Sequence, residues 1–200
     1  MPFGLFVNPN AAMRDLAGFM AAAKAQPGKV SVANEGPKTF GGILARLLNA
    51  RTGIDTNLVS YVSVGAGVTD TVGGQTDAIV CDVPSAAAMV KQGRLRPIAV
   101  TTAKRVAGWD DVPPLADTLP GFDFAGWFGV VAPKGTPDPA LRRFAVETAA
   151  WLGGKDVAAR ILAIGPIVEA GGSPESFGAF MATEHERWGK LTAEIGLSPK

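Results

Sequence analysis

The stretch that most constrains the fold is Lys29 to Leu48, KVSVANEGPKTFGGILARLL. Lys29 to Ala33 alternates apolar and polar residues with two valines and reads as a short strand, whereas Phe40, Ile43, Leu44, Leu47 and Leu48 recur at helical spacing. Between them Asn34-Glu35-Gly36-Pro37-Lys38-Thr39 forms a turn: Asn and Gly tolerate left-handed backbone angles, Pro37 fixes a corner and Thr39 can cap the following helix. Such a turn gathers backbone N–H groups, a hydroxyl and an ammonium at a helix N-terminus, which is how a chain holds an anion. The same residues also make an ordinary strand-to-helix connection, and local sequence leaves both readings open.

Strand and helix patterns alternate along the chain. Asn10 is placed to cap a helix whose Leu16, Phe19, Met20 and Ala23 share one face, and Pro27-Gly28 ends it. Asn57 to Val62 reads as a strand, Val64 to Val72 as a loop and short helix stopped by Gly73-Gly74, and Asp77 to Cys81 as another strand. Pro84 to Lys91 reads as a helix closed by Gly93, and Leu95 to Thr101 as a buried strand. Strands separated by helices predict a parallel sheet with right-handed crossovers.

Residues 103–124, with Pro113, Pro114 and Pro120-Gly121, read as a long surface connection and a candidate boundary. Beyond it, Trp127 to Ala132 reads as a strand and Pro137 to Leu152 as a helix, followed by a shorter helix at Asp156 to Ile164 and an extended piece at Ile167-Val168. Ser173-Pro174-Glu175 opens a last helix with Phe177, Phe180, Met181, Glu184, Trp188, Leu191 and Ile195 on one side.

Several function classes are excluded by what the chain is made of. With 47% hydrophobic and 18% charged residues it can bury a substantial core, and a net charge of +1 with scattered Lys and Arg offers no surface for nucleic acid. The single cysteine, Cys81, lies in an apolar run and reads as a small buried hydrophobe. The single histidine, His185, sits midway along the last helix and reads as a solvated helix residue. A Ser-His-Asp triad or Cys-His pair would have to recruit it from there, and Tyr61 stands where a G-x-S-x-G elbow around Ser63 needs glycine. One His and one Cys make no zinc site, and Asp70, Asp77 and Asp82 read as helix, strand-end and turn residues. Met1 to Val7 is apolar but too short and too lacking in basic residues for a signal peptide, and no run approaches the roughly 18 residues of a membrane span. What remains is recognition without chemistry.

A series of short motifs carries a resemblance. Pro27-Gly28-Lys29, the Asn34 to Thr39 turn, Val59-Ser60-Tyr61, Gly65 with Thr69-Asp70, Gly73-Gly74-Gln75 with Asp77, and Gly93-Arg94-Leu95-Arg96 with Ile98-Ala99-Val100-Thr101 occur in order. Arg105, Asp111-Val112-Pro113, Gly126-Trp127-Phe128-Gly129, Ala132-Pro133 with Gly135-Thr136-Pro137, Ser173-Pro174-Glu175 with Phe177, and Glu184 with Trp188 continue the series. In order and spacing the set resembles the Bug family, the TctC-like solute receptors of tripartite tricarboxylate transporters, over essentially all 200 residues.

The resemblance implies an α/β, periplasmic-binding-protein-like (type II) fold, with two α/β domains that close about a hinge over a small carboxylate. It implies a periplasmic, non-enzymatic protein without a cofactor, working with membrane transporter subunits. On that mapping residues 8–99 are the complete second domain and 100–200 the returning part of the first. A signal peptide and roughly 100 residues of the first domain would then precede Met1, so an N-terminally shortened chain with a tendency to self-associate is expected. The family's turn reads Ser-x-Gly-x-Gly-Ser/Thr with a His in the helix; here Asn34 takes the place of the Ser, Lys38 of the second Gly and Gly42 of the His. The ligand-binding set expected from turn and resemblance together is Asn34, Gly36, Lys38 and Thr39, faced by Gly65, Thr69 and Asp70, with no metal. A small-acid-sensing effector domain of a regulator is the second reading.

Overall fold

The computed structural model describes residues 1–164 and 172–197. Ile167-Val168 lies outside the described residues. The chain divides into two compact units, Met1–Gly126 with Glu194–Leu197, and Trp127–Ala193.

The first unit is built on five strands: β1 (Phe3–Val7), β2 (Ser31–Asn34), β3 (Asn57–Ser60), β4 (Ala78–Asp82) and β5 (Arg96–Val100), in the spatial order β3-β2-β4-β1-β5. Strand β2 runs parallel to β3, with Asn34 opposite Ser60, and parallel to β4, with Ala33 opposite Ile79. The sheet is not wholly parallel, however: β1 runs antiparallel between β4 and β5, pairing Leu5 with Val80 on one side and Ala99 on the other. Every residue of β1 is buried. The apolar run at Met1–Val7 is therefore a central strand, and burying Leu5, Phe6 and Val7 stabilises the unit by roughly 1.5–3 kcal/mol each. Gly4 is required because a Cβ there would stand 3.1 Å from the Ala99 carbonyl and 2.8 Å from the Phe6 ring.

Helices α1 (Leu16–Ala25), α2 (Phe40–Thr52), α3 (Val64–Gly73) and α4 (Val83–Lys91) connect these strands. Side chains alternate across a strand, so Phe6, Ala33, Ile79 and Cys81 share a face, where Val68 of α3, Val83 and Ala86 of α4, and Leu95 join them in one core. Leu5, Val7, Val32 and Val80 point the other way and are also buried; α2 packs on β2, β3 and β4 and buries Leu44, Leu47 and Leu48. The cap of α1 is not Asn10 but Asp15, whose Oδ1 accepts from Gly18 N at 2.7 Å. Asn10 is instead held by a bond from its own N–H to Asn8 Oδ1, and Asn8 donates to the Thr71 and Val72 carbonyls at the end of α3.

The segment after β5 is tied to the sheet rather than lying on the surface. Thr101 donates through its N–H to Phe3 O and through Oγ1 to Phe124 O, while Val106, Val112, Leu115, Phe122 and Phe124 are buried. Pro2 bridges Ala125, and Met1 N donates to Gly126 O at 2.6 Å, so the start of β1 and the end of this segment run side by side.

In the second unit, helices α5 (Asp138–Leu152), α6 (Lys155–Ile164) and α7 (Pro174–Glu194) follow an extended stretch. Trp127 to Ala132 forms no strand. A strand needs a ladder partner, and among the described residues none pairs with it; Phe128, Val130 and Val131 are exposed. Trp127 packs edge-on against Phe177 and Phe180 of α7, and its indole and that of Trp188 both donate to Glu184 Oε2. Helix α5 buries none of its residues and leaves Phe144, Val146 and Trp151 exposed. His185 is exposed and Cys81 fully buried, as their sequence settings imply.

The reassigned cap is testable by thermal unfolding. Asp15→Ala is expected to cost about 1 kcal/mol, whereas Asn10→Ala, which removes only an exposed side chain, is expected to change stability by less than about 0.5 kcal/mol.

Candidate functional site

Because β2, β3 and β4 run in one direction, α2, α3 and α4 all begin at one edge of the sheet, capped by Thr39, Ser63 and Asp82. The antiparallel β1 starts at this same edge: Val83 N donates to Pro2 O, and the Phe3 and Phe40 rings lie 4.7 Å apart. Three helix N-termini with their partial positive charge thus converge where parallel-sheet proteins bind ligands.

The Asn34 to Thr39 turn is held by its own side chains. Asn34 is 3% exposed. Its Nδ2 donates to the Val32 and Val59 carbonyls, and its Oδ1 accepts from Gly36 N at 2.9 Å and Ser60 Oγ at 3.4 Å. Gly36 has φ +129°, a backbone angle that favours glycine, and its carbonyl accepts from Thr39 N and Thr39 Oγ1. Thr39 Oγ1 in turn accepts from Gly42 N at 3.2 Å. The turn lies so close on the first turn of α2 that a Cβ at residue 42 would run into the Gly36 carbonyl oxygen, which gives a steric reason for glycine there. Asn34, Gly36 and Thr39 therefore shape the turn, while Lys38 is exposed on it.

The second group lies beside the first, because Tyr61 N donates to Asn34 O at 2.8 Å. Along α3, Thr69 Oγ1 donates to Gly65 O at 2.9 Å, both residues being exposed, and the half-buried Asp70 accepts at 2.9 Å from the Tyr61 hydroxyl. Removal of water from the phenol, followed by its bond to Asp70, raises the Tyr61 pKa, so it remains a donor at neutral pH. Ser63 spends its hydroxyl on capping α3 through Ala66 N. Asn34, Gly36, Lys38 and Thr39 lie together at the start of α2 and Gly65 at the start of α3, whereas Thr69 and Asp70 lie farther along α3, Asp70 being linked back to the turn through the Tyr61 hydroxyl.

Three residues were not anticipated as part of this arrangement. Tyr61 stood out only as the residue that interrupts a nucleophile-elbow pattern, yet it joins the two turns. Asp82 caps α4, its carboxylate accepting from Ser85 N and Ser85 Oγ. Glu35, between Asn34 and Gly36, is half-buried, and burial followed by the nearby Asp82 carboxylate raises its pKa above the ordinary carboxyl value. Burial first, with Asp82 and Glu35 adding to it, also pushes the Cys81 thiol well up, so that cysteine is an inert core residue.

The model of the tripartite tricarboxylate transporter family receptor, TctC, matches residues 1–197, and the chain belongs to that family. A Pseudomonas sp. protein from the tcbD–tcbE intergenic region is 34% identical over 200 residues, spanning 99% of this chain and 59% of the relative. Protein BugT of Bordetella pertussis is 31% identical over 207 residues, spanning 100% of this chain and 61% of the relative. Among solved structures, an R. palustris protein with adipate superposes with a TM-score of 0.90 at 27% identity, covering 100% of this chain and 67% of that one. The protein MatC of Rhodopseudomonas palustris with bound malate gives 0.81 at 25% identity, covering 96% and 66%. The periplasmic binding protein BugD shares the fold, with a TM-score of 0.87 at 23% identity. The chain thus spans about three fifths of the length of these curated relatives.

The packing of the turn on α2 predicts a contrast between two glycines, read by thermal unfolding. Gly42→Ala forces the turn off the helix and is expected to cost about 1–3 kcal/mol. Gly65→Ala enters open space in a helix and is expected to leave stability unchanged or raise it by up to about 1 kcal/mol.

Proposed function

We propose that this chain is part of an extracytoplasmic solute receptor that captures a small carboxylate for a tripartite tricarboxylate-type transporter, without catalysing a reaction. The observation that carries this reading is the convergence of the α2, α3 and α4 N-termini at one sheet edge, in a chain whose family is a transporter receptor. The adipate and malate bound by two R. palustris proteins of similar structure support a small carboxylate as the ligand class. The proposed contacts are Asn34, Gly36, Lys38 and Thr39 on one turn and Gly65, Thr69 and Asp70 beside it. Asn34, Gly36 and Thr39 act by fixing the backbone of the α2 N-terminus; Lys38 supplies a cation; Thr69 and Asp70 meet a polar group of the ligand. Residues 8–99 would be the second domain of the whole receptor and 100–200 the returning part of its first. A periplasmic location and contact with membrane transporter subunits follow from the same reading.

Lys38 is the most direct test. A charge-assisted hydrogen bond is worth about 1.5–3 kcal/mol, so Lys38→Met is expected to weaken adipate binding about 10- to 150-fold in calorimetric titration. Affinities within about threefold at both low and high salt would remove Lys38 from the site.

The second unit gives an independent expectation. Phe128, Val130, Val131, Phe144, Val146 and Trp151 are exposed on it, and exposed apolar surface drives association. Light scattering across a concentration series is expected to show self-association of the 200-residue chain; a strict monomer would contradict it.

A further inference from the structure

Glu35 stands in the middle of the proposed site. It follows the last residue of β2, and β2 lies between β3 and β4, so Glu35 has Tyr61 beyond one neighbouring strand and Asp82 at the end of the other. Its carboxylate is half-buried and makes no hydrogen bond or ion pair among the described residues; Lys38, three residues along the same turn, is not within ion-pair distance of it. The Asp82 carboxylate is bonded to Ser85 N and Ser85 Oγ rather than to Glu35. Asp70, farther along α3, accepts from the Tyr61 hydroxyl. Burial, followed by the nearby Asp82 carboxylate, raises the Glu35 pKa.

A dicarboxylate entering this edge meets the helix N-termini and Lys38, but its second negative charge also meets Glu35 and Asp82. An N–H donor in place of one carboxylate removes that repulsion and gives Glu35 the partner it lacks. We infer that Glu35 selects the ligand: the site takes an acid with a single carboxylate and an N–H donor as its second polar group, an amide or an ammonium, in preference to a dicarboxylate. The inference rests on the reading of this edge as the ligand site.

Three probes with six-carbon backbones separate the alternatives in calorimetric titration of the 200-residue chain: adipate, its monoamide adipamate, and 6-aminohexanoate. Adipamate, 6-aminohexanoate or both are expected to bind at least about tenfold more tightly than adipate, the scale of one charge-assisted hydrogen bond. A gain for the amide alone assigns the effect to the donor, and a gain for the amine alone assigns it to the charge. Glu35→Gln keeps the size of the side chain and is expected to bring the three affinities within about threefold of one another, chiefly by tightening adipate, while Glu35→Asp keeps the preference. Equal or tighter binding of adipate by the parent chain, or a preference that survives Glu35→Gln, overturns the inference and leaves the carboxylate site standing. If none of the three binds to a chain that retains its cooperative thermal transition, the carboxylate reading itself fails, and the role of Glu35 fails with it.

Discussion

The first unit depends on one insertion: strand β1, five buried residues running against the direction of its neighbours, fills the gap between β4 and β5. Without it β4 would become an edge, and β5 would lose the one ladder partner it has among the described residues. The segment that returns from β5 is fixed to the same strand, since Thr101 N reaches Phe3 O, and the start of α4 is fixed just ahead of it, since Val83 N reaches Pro2 O. The convergence of three helix N-termini is a consequence of the parallel set β3-β2-β4, but that set is held at its inner side by an antiparallel strand. Local βα order builds the edge at which the helices begin, and a contact between residues almost 80 positions apart keeps it in place.

This division explains how much of the fold was legible in the sequence. The βα units were readable because each carries its own period and its own stops: Thr39 opens a helix in the sequence and does so in the structure, and Ser63 and Asp82 prove to cap the two helices that follow. The direction of β1 was not readable, because nothing in FGLFV encodes which strands it separates. A continuous apolar run is the mark of a strand buried on both faces, and that was the available signal. At Asn10 the sequence offered a capping residue near an apolar face, but the chain between Asn8 and Asp15 is occupied in tying down the end of α3, and the helix starts later. Trp127 to Ala132 shows the converse. Its residues favour strands, yet a strand preference is largely a preference for a pleated, half-covered surface, and the described residues of the second unit supply no neighbour.

At the site, residue type was informative and role was not. Asn34 and Thr39 were picked out as donors to an anion, and their hydrogen bonds go to Val32, Val59 and Gly36. Short polar side chains in turns compete for the backbone before they meet any ligand, so their presence marks where a turn is stiff. Gly42 becomes intelligible only in the folded chain, as the glycine that lets the Gly36 carbonyl lie on the helix. Nothing in the sequence around Glu35 sets it apart; its significance comes from strand order, which sets it beside Asp82.

The pairing of Pro2 with Ala125 and of Met1 with Gly126 has a topological meaning. Residues 1–126 leave and re-enter at one point, so the segment is a closed circuit with its two ends in register. A fold of this kind can sit inside another polypeptide as an insertion, at the cost of two adjacent covalent links and no long connection. The sheet and its helices are then free to diverge as a module, provided the short paired stretch at which the circuit closes is kept.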